Sequence, residues 1–203
     1  MQLTNTQLDL IDRFLEQHQL DFLDFKLEVK DHLASATEEL MKDKEILFEE
    51  AFPLAAKAWE TELQVKKYWL ISNERLLPSF VIQRIKNKVA FHCVIVILIA
   101  LIGTLMIHHL PFENQVFKYG FGFFGMVYFL LRRIMNNKKV KTSYRFQFDY
   151  FYLPVFLGFA YFFVLKLSSA YVDFIGFLIT ANFPFTIYYF VKHQQFVKKY
   201  NLI

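Results

Sequence analysis

The sequence contains few of the residues on which disulfide-rich, fibrous or disordered proteins depend. Among its 203 residues there are one cysteine, six glycines and five prolines. A single cysteine excludes an intrachain disulfide framework and a metal site built from cysteines. The 26 phenylalanines exclude a disordered or collagen-like chain. No cationic stretch followed by a short apolar run opens the sequence, so we expect no signal peptide.

The sequence also lacks the motifs of common enzyme and nucleotide-binding classes. It contains no Walker loop and no GxGxxG, HExxH, GxSxG or CxxC motif. We therefore expect neither catalytic residues nor a cofactor, and we do not expect the protein to be an enzyme. Basic residues that flank membrane spans are explained by the orientation of the spans, so nucleic acid is not an expected partner.

Charge and aromatic content divide the chain into two parts. Residues 1–83 hold sixteen acidic and nine basic side chains, whereas residues 84–203 hold three acidic and fourteen basic ones. All six glycines and twenty of the 26 phenylalanines lie in the second part. Two compositions in one chain indicate two environments. The first part is typical of a soluble acidic domain and the second of a membrane domain with basic margins.

Apolar residues at helical spacing predict three helices in residues 1–71. Thr4 to Thr6 offer caps for the first helix, and Asp21 offers a cap for the second. A third helix is predicted from about Leu47, with Pro53 in its first turns or kinking it. Because about 65 residues form only a marginal core, we expect this unit to need a neighbour, a second copy or a partner. The apolar stripe of the second helix comprises Phe22, Phe25, Val29, Leu33, Ala36 and Leu40.

Residues 72–88 are predicted to form an amphipathic helix that lies at the inner membrane surface. Leu77, Phe80, Val81 and Ile85 share one face, and basic residues flank it. The alternative is a plain linker that runs into the first membrane span.

Residues 89–203 are predicted to form a transmembrane domain with four helices. Residues 89–107 contain no charged side chain and cover roughly 28 Å, which is close to the thickness of the hydrocarbon core. The other predicted spans are 116–131, 146–165 and 174–191. The fold class is therefore all-α: a cytosolic three-helix bundle followed by a four-helix transmembrane region.

The distribution of basic residues orients these spans. Twelve Lys and Arg residues lie before span one, between spans two and three, or after span four, and only Lys118 and Lys166 lie on the other side. Under the positive-inside rule the twelve face the cytosol. We therefore expect a multi-pass protein of the bacterial inner membrane with both termini in the cytosol.

Three polar residues within the predicted spans are candidate sites. His92 could transfer protons or bind a ligand, or it could be a neutral side chain bonded to a neighbouring helix. Asp149 could line a cation path, or it could pair with Arg145 at the inner surface. Asn182 lies beside Pro184, where the helix could break to form a substrate site or could simply kink.

Metal binding is not expected. The adjacent histidines His108 and His109 could suggest a metal site. However, adjacent residues on a helix point in different directions, and Glu113 is the one carboxylate nearby. A helix end at the outer surface explains the pair without a metal.

Residues 12–63 resemble the helical prefix domain of HAAS-type bacterial membrane proteins and the permease-prefix domains of some bacterial transporters. The resemblance is carried by Leu27-Glu28-Val29-Lys30-Asp31-His32-Leu33, by Glu38-Glu39-Leu40 and by Phe48-Glu49-Glu50-Ala51-Phe52, with Ala55 and Trp59 after them. It implies a cytosolic helical module fused to a small transmembrane region, with a regulatory or signalling role and no catalytic residues.

The expected function is that of a membrane-anchored interaction protein, with a regulatory role or a place as a subunit or scaffold of a membrane complex. Its expected partners are the lipid bilayer and either another protein or a second copy of the chain. A small oligomeric transporter or channel is the alternative. The predicted partner-binding face, for which a plain solvated face is the simpler interpretation, comprises Asp24, Glu28, Asp31, Glu38 and Glu39.

Overall fold

The computed structural model describes residues 2–67, 76–107, 114–136, 140–150 and 169–202. The chain is mostly helical, as predicted from the sequence. It divides into two compact units. The first comprises residues 1–86 together with 141–143, and the second comprises residues 87–140 and 144–203.

Helix α1 (Asn5–Gln17) begins with a complete capping box. The hydroxyl of Thr4 accepts a hydrogen bond from the N–H of Gln7 at 3.4 Å, and the Gln7 side chain accepts one from the N–H of Thr4 at 2.8 Å. Two of the free donors at the helix start are thereby satisfied. Of the three residues predicted as candidate caps, Thr4 to Thr6, the structure selects Thr4.

Helix α2 (Leu23–Lys44) begins differently from the prediction. Its N-cap is Phe22, which makes no side-chain hydrogen bond to the helix, so the predicted Asp21 cap is wrong. The carboxylate of Asp21 is turned away to pair with the ammonium of Lys141 at 2.9 Å. The helix ends at Glu45, whose left-handed conformation (φ 54°) stops the helical path.

Helix α3 (Phe48–Leu63) contains Pro53 without being broken by it. A short antiparallel hairpin follows, in which β1 (Val65–Lys67) pairs with β2 (Leu76–Pro78). The hydroxyl of Ser79 lies 2.9 Å from the carbonyls of Thr61 and Glu62 and donates to the C-terminal end of α3.

The core of the first unit is formed by one face of each helix. Ile11 and Leu15 of α1 are fully buried, as are Val29 and Leu33 on the predicted stripe of α2. Burying one such side chain contributes about 1.5–3 kcal/mol. The start of the next helix completes this core, because Phe80 makes edge contacts with Phe25 and Trp59 and because Val81 and Ile85 are fully buried.

Helix α4 (Ser79–Ile107) is continuous from the first unit into the second. The predicted surface helix of residues 72–88 and the predicted first span therefore share one helix, which begins at Ser79. Residues 76–78, expected to be helical, form strand β2 because they pair with β1. Residues 72–75 lie outside the described residues.

Helix α6 begins at residue 143 and is described to residue 150. The second unit contains the rest of α4, α5 (Asn114–Asn136), α6 from residue 144 onward, and α7 (Ser169–Lys199). Helix α5 packs against α7. Helix α4 meets α7 where Gly103 lies against the ring of Phe177. A Cβ on Gly103 would lie 2.6 Å from that ring, so glycine permits the close approach.

Two of the described helices, α4 and α7, are long and apolar enough to cross a membrane, rather than the four that the sequence predicted. They contain the predicted spans 89–107 and 174–191. The predicted span 116–131 lies in α5, of which only residues 123–135 have described side chains, too few to assess as a span. Most of span 146–165 lies outside the described residues.

Candidate functional sites

The five acidic residues of the predicted partner-binding face have different surroundings. Asp24 binds Ser143, Glu28 pairs with Arg84 at 2.9 Å, and Glu38 accepts a hydrogen bond from the N–H of Leu3 at 2.9 Å. These three carboxylates are occupied within the first unit. Asp31 and Glu39 are exposed to solvent.

The starts of α2 and α6 cap each other. The carboxylate of Asp24, in the first turn of α2, accepts hydrogen bonds from the N–H of Ser143 at 2.8 Å and from its hydroxyl. In the other direction, the carbonyl of Lys141 accepts from the N–H of Leu23 at 2.9 Å. Each contact satisfies a donor that a helix start leaves free, and a carboxylate is favourable at the positive end of a helix dipole. We call this arrangement the reciprocal cap.

Burial shifts the pKa of Asp24 in the reciprocal cap. Desolvation raises the pKa of Asp24 above its ordinary value of 3.8, although the hydrogen bonds from Ser143 act in the opposite direction. Thr142 and Ser143 are themselves buried, at 1% and 3% exposure. No sequence pattern indicated this contact, because the paired residues are 119 positions apart.

An open groove of about 450 Å³ lies between α1 and α3. Helix α2 packs against both of these helices. Phe14 and Phe52 meet edge-on at a centroid distance of 5.4 Å, and the ring of Phe52 stacks on Phe48 at the same distance. We call this the α1–α3 groove; its lining comprises Phe14, His18, Phe52, Pro53, Ala56, Lys57 and Glu60.

Polar side chains of both helices line the α1–α3 groove beside these rings. Nδ1 of His18 lies 2.8 Å from the carbonyl of Phe14. Because a carbonyl only accepts, the proton lies on Nδ1 in the neutral ring, and Nε2 is then an acceptor. Lys57 and Glu60, both exposed, lie on α3.

In the second unit, His92 of α4 is bonded to α7. Its Nδ1 lies 2.6 Å from the hydroxyl of Tyr189, and its ring lies 4.2 Å from that of Phe185. Tyr189 is buried at 1% exposure. The contact joins two helices through a polar pair surrounded by aromatic rings.

Asp149 of α6 interacts with an arginine of another helix as well as with Arg145, the arginine expected from the sequence. Its Oδ1 is 3.5 Å from Nε of Arg132 on α5, and both side chains are 40% exposed. The pair therefore links two helices, in addition to any attraction from Arg145 on its own helix.

Helix α7 continues through the predicted break at Pro184. Proline has no N–H to donate to the carbonyl of Thr180. The hydroxyls of Thr180 and Thr186 donate to the carbonyls of Gly176 and Asn182, each four residues back, at 2.9 and 3.1 Å. Asn182 is buried at 3% exposure.

The buried face of α7 is polar along much of its length, which sequence reasoning missed except at Asn182. Four buried polar residues recur at intervals of four, three and four, the spacing of a helix–helix seam. Looking for polar residues at this spacing would have found them. This α7 polar stripe comprises Asn182, Thr186, Tyr189 and His193, with exposures of 3% or less.

The described residues contain no group of three His, Cys, Asp or Glu side chains that could hold a metal ion. The pair His108-His109 lies outside them. Cys93 is a free, half-buried thiol on α4. Comparisons with protein-family models, with curated proteins and with solved structures found no match.

Proposed function

We propose that this chain is an integral protein of the bacterial inner membrane whose N-terminal helical unit binds a protein partner in the cytosol. The apolar surface of α4 supports the membrane assignment. Phe91, Val94, Leu98 and Leu105 are each more than half exposed, although side chains of this kind are usually buried in a soluble protein. A lipid environment would cover them.

The observation that carries the interaction function is the α1–α3 groove, an open cleft with an aromatic floor in a small acidic unit. The exposed charges of Asp31 and Glu39 add to that surface. The resemblance of residues 12–63 to prefix domains of bacterial membrane proteins supports the same role. The protein would then act as a regulator, or as a subunit or scaffold of a membrane complex.

Labelling of single cysteines tests the proposed topology. In a Cys93→Ser background, Glu60→Cys and Lys199→Cys place thiols in the N-terminal unit and near the C-terminus, and Gln115→Cys places one in the predicted outer loop. In intact spheroplasts, a membrane-impermeant maleimide should label Gln115→Cys alone, and permeabilisation should expose the other two. Labelling of Glu60→Cys from outside would overturn the proposed orientation.

Purification tests the interaction function. The detergent-solubilised chain should retain a stable protein partner or form a defined self-complex. A chain that purifies alone as a monomer and conducts ions or solutes in liposomes would contradict this proposal.

The α7 polar stripe favours a second candidate, a small oligomeric transporter or channel. Polar residues within spans often mark a substrate or ion path, although they also join helices by hydrogen bonds. Flux through the purified protein in liposomes, lost in Asp149→Asn and in Asn182→Leu, would support this candidate.

A further inference from the structure

We propose that the α1–α3 groove binds an amphipathic helix of a protein partner, with basic residues along the margins of its apolar face. This inference rests on the proposed function and names the chemistry of the partner. It is carried by the shape of the groove, by the charge of the two helices that form it and by the acceptors at its sides.

The shape suits a helix. The groove is open to solvent and is lined by residues of two helices, so another helix can pack against it as it would in a helical bundle. Its volume of about 450 Å³ is sufficient for apolar side chains projecting from successive turns. Leu10, one turn before Phe14 on α1, is 47% exposed and extends the apolar surface. The partner should therefore present large apolar side chains at i, i+3 or i+4, and i+7.

Charge identifies the margins of the partner. Helices α1 and α3 together carry seven carboxylates and two cationic side chains, Arg13 and Lys57. Two of the carboxylates, Asp12 and Glu16, pair with lysines of α2, so five carboxylates and two cations remain for a partner. A helix with Lys or Arg beside its apolar face is complementary to this surface. Glu60 and Nε2 of His18 are acceptors within the groove lining that cationic or amide donors can reach.

The same charge disfavours other occupants. A second copy would bring an equal excess of carboxylates to the contact, and like charges oppose association. The anionic surface of the inner leaflet would repel this acidic face for the same reason. A basic amphipathic helix of another protein is therefore the expected occupant.

Site-specific crosslinking in cells tests the proposal on the full-length chain. The photoreactive residue p-benzoylphenylalanine replaces Lys57 in the groove and, as a matched control, Lys44, which is exposed at the end of α2. The crosslinked peptides are identified by mass spectrometry. We expect Lys57→p-benzoylphenylalanine to capture a segment of another protein with helical apolar spacing and an excess of Lys and Arg, and Lys44→p-benzoylphenylalanine not to capture it.

Affinity measurements with that segment, made as a synthetic peptide, provide the second test. Glu60→Lys should weaken its binding to the purified chain by about tenfold, while Glu39→Lys, which changes charge equally on α2, should have little effect. Both residues are exposed, so neither variant should prevent folding. Raising the salt concentration should weaken binding to the wild type more than binding to Glu60→Lys.

Other outcomes overturn the groove proposal. In the crosslinking experiment, these are capture of a second copy of this chain, of lipid or of an acidic segment, and equal crosslinking at Lys57 and Lys44. In the affinity experiment, it is an equal effect of Glu60→Lys and Glu39→Lys. If the chain still purifies with a partner in any of these cases, the proposed function stands and the partner binds elsewhere. If the chain has no protein partner and conducts solutes, the proposed function fails as well.

Discussion

The carboxylate of Asp24 holds both the backbone N–H and the hydroxyl of Ser143, although the two residues are 119 positions apart. Residues 141–143 belong to the first compact unit, while residues 140 and 144 on either side belong to the second. The polypeptide therefore passes between the units at residues 86–87, 140–141 and 143–144. A change at the reciprocal cap acts on residues 141–143, the later of the two stretches of chain that form the first unit.

Removing the acceptor should loosen the start of α6. In Asp24→Ala the N–H of Ser143 loses its partner in a buried position, at a cost of about 1–3 kcal/mol. Hydrogen exchange of the full chain in nanodiscs should accelerate at the amides of residues 143–146. Asp31→Ala, an exposed carboxylate on the same helix, should leave that exchange unchanged. Equal protection in both variants would show that the reciprocal cap contributes nothing to stability.

The stability of the first unit should depend on pH through Asp24. Because burial raises the folded pKa of this carboxyl above 3.8, the folded state holds its proton to a higher pH than the unfolded state does. The stabilisation is complete below pH 3.8 and is lost as the pH rises through the folded value. Asp24→Asn resembles the protonated form, since its amide can accept from the N–H of Ser143 and donate to its hydroxyl.

Comparison of wild type with Asp24→Asn isolates this effect from the other carboxylates. The free energy of unfolding of the wild type, relative to that of the variant, should increase as the pH is lowered from neutrality. Chemical denaturation in detergent at a series of pH values measures the difference. A relative decrease on acidification would mean that the hydrogen bonds from Ser143 outweigh desolvation and lower the pKa of Asp24.

Gly103→Ala should destabilise the packing of α4 against α7. The added methyl group would lie 2.6 Å from the ring of Phe177, and overpacking of this kind costs about 1–3 kcal/mol. The melting temperature in detergent should fall. Combining the change with Phe177→Leu, which withdraws the ring, should recover part of the loss. If the losses of the two single variants simply add in the double variant, the methyl group does not destabilise the protein through the ring of Phe177.

Tyr189→Phe removes the hydroxyl that binds His92 and leaves the aromatic ring in place. We expect a loss of about 0.5–1.5 kcal/mol, because His92 loses a partner between two helices. Tyr188→Phe is the matched control, since Tyr188 is 49% exposed. The change should also move the ¹⁵N resonance of His92 Nδ1. An unaltered resonance would show that the two side chains do not interact.

The apolar pattern sufficed to predict the three N-terminal helices and four of the six residues in the stripe of α2, whereas Ala36 and Leu40 are only half-buried. Thr4 was among the predicted caps because a Thr or Asn just before the first apolar repeat is a local signal of a helix start. Asp21 was wrongly predicted as a cap, because its carboxylate pairs with Lys141 instead. Lys141 is 120 positions away, so no local pattern in the sequence indicates that the two residues are close. Strand β2 was missed for the same reason, since residues 76–78 acquire their conformation by pairing with β1.

For the candidate sites too, the sequence identified individual residues but not the partners that the fold brings to them. His92, Asp149 and Asn182 stood out as polar residues in apolar segments, yet the partners of the first two, Tyr189 and Arg132, lie on other helices. The α1–α3 groove could not be foreseen, because it exists only where Phe14 and Phe52 meet.

By itself the sequence determined a mostly helical chain with an acidic first part and apolar helices in the second, because helical periodicity, charge and hydropathy are properties of neighbouring residues. Only the tertiary structure decided which carboxylates are free for a partner and which are occupied inside the chain. Asp24, Glu28 and Asp31 lie on one helix and look alike in sequence. Two of them are occupied by Ser143 and Arg84 because folding brings distant donors within hydrogen-bond reach, and Asp31 remains in water.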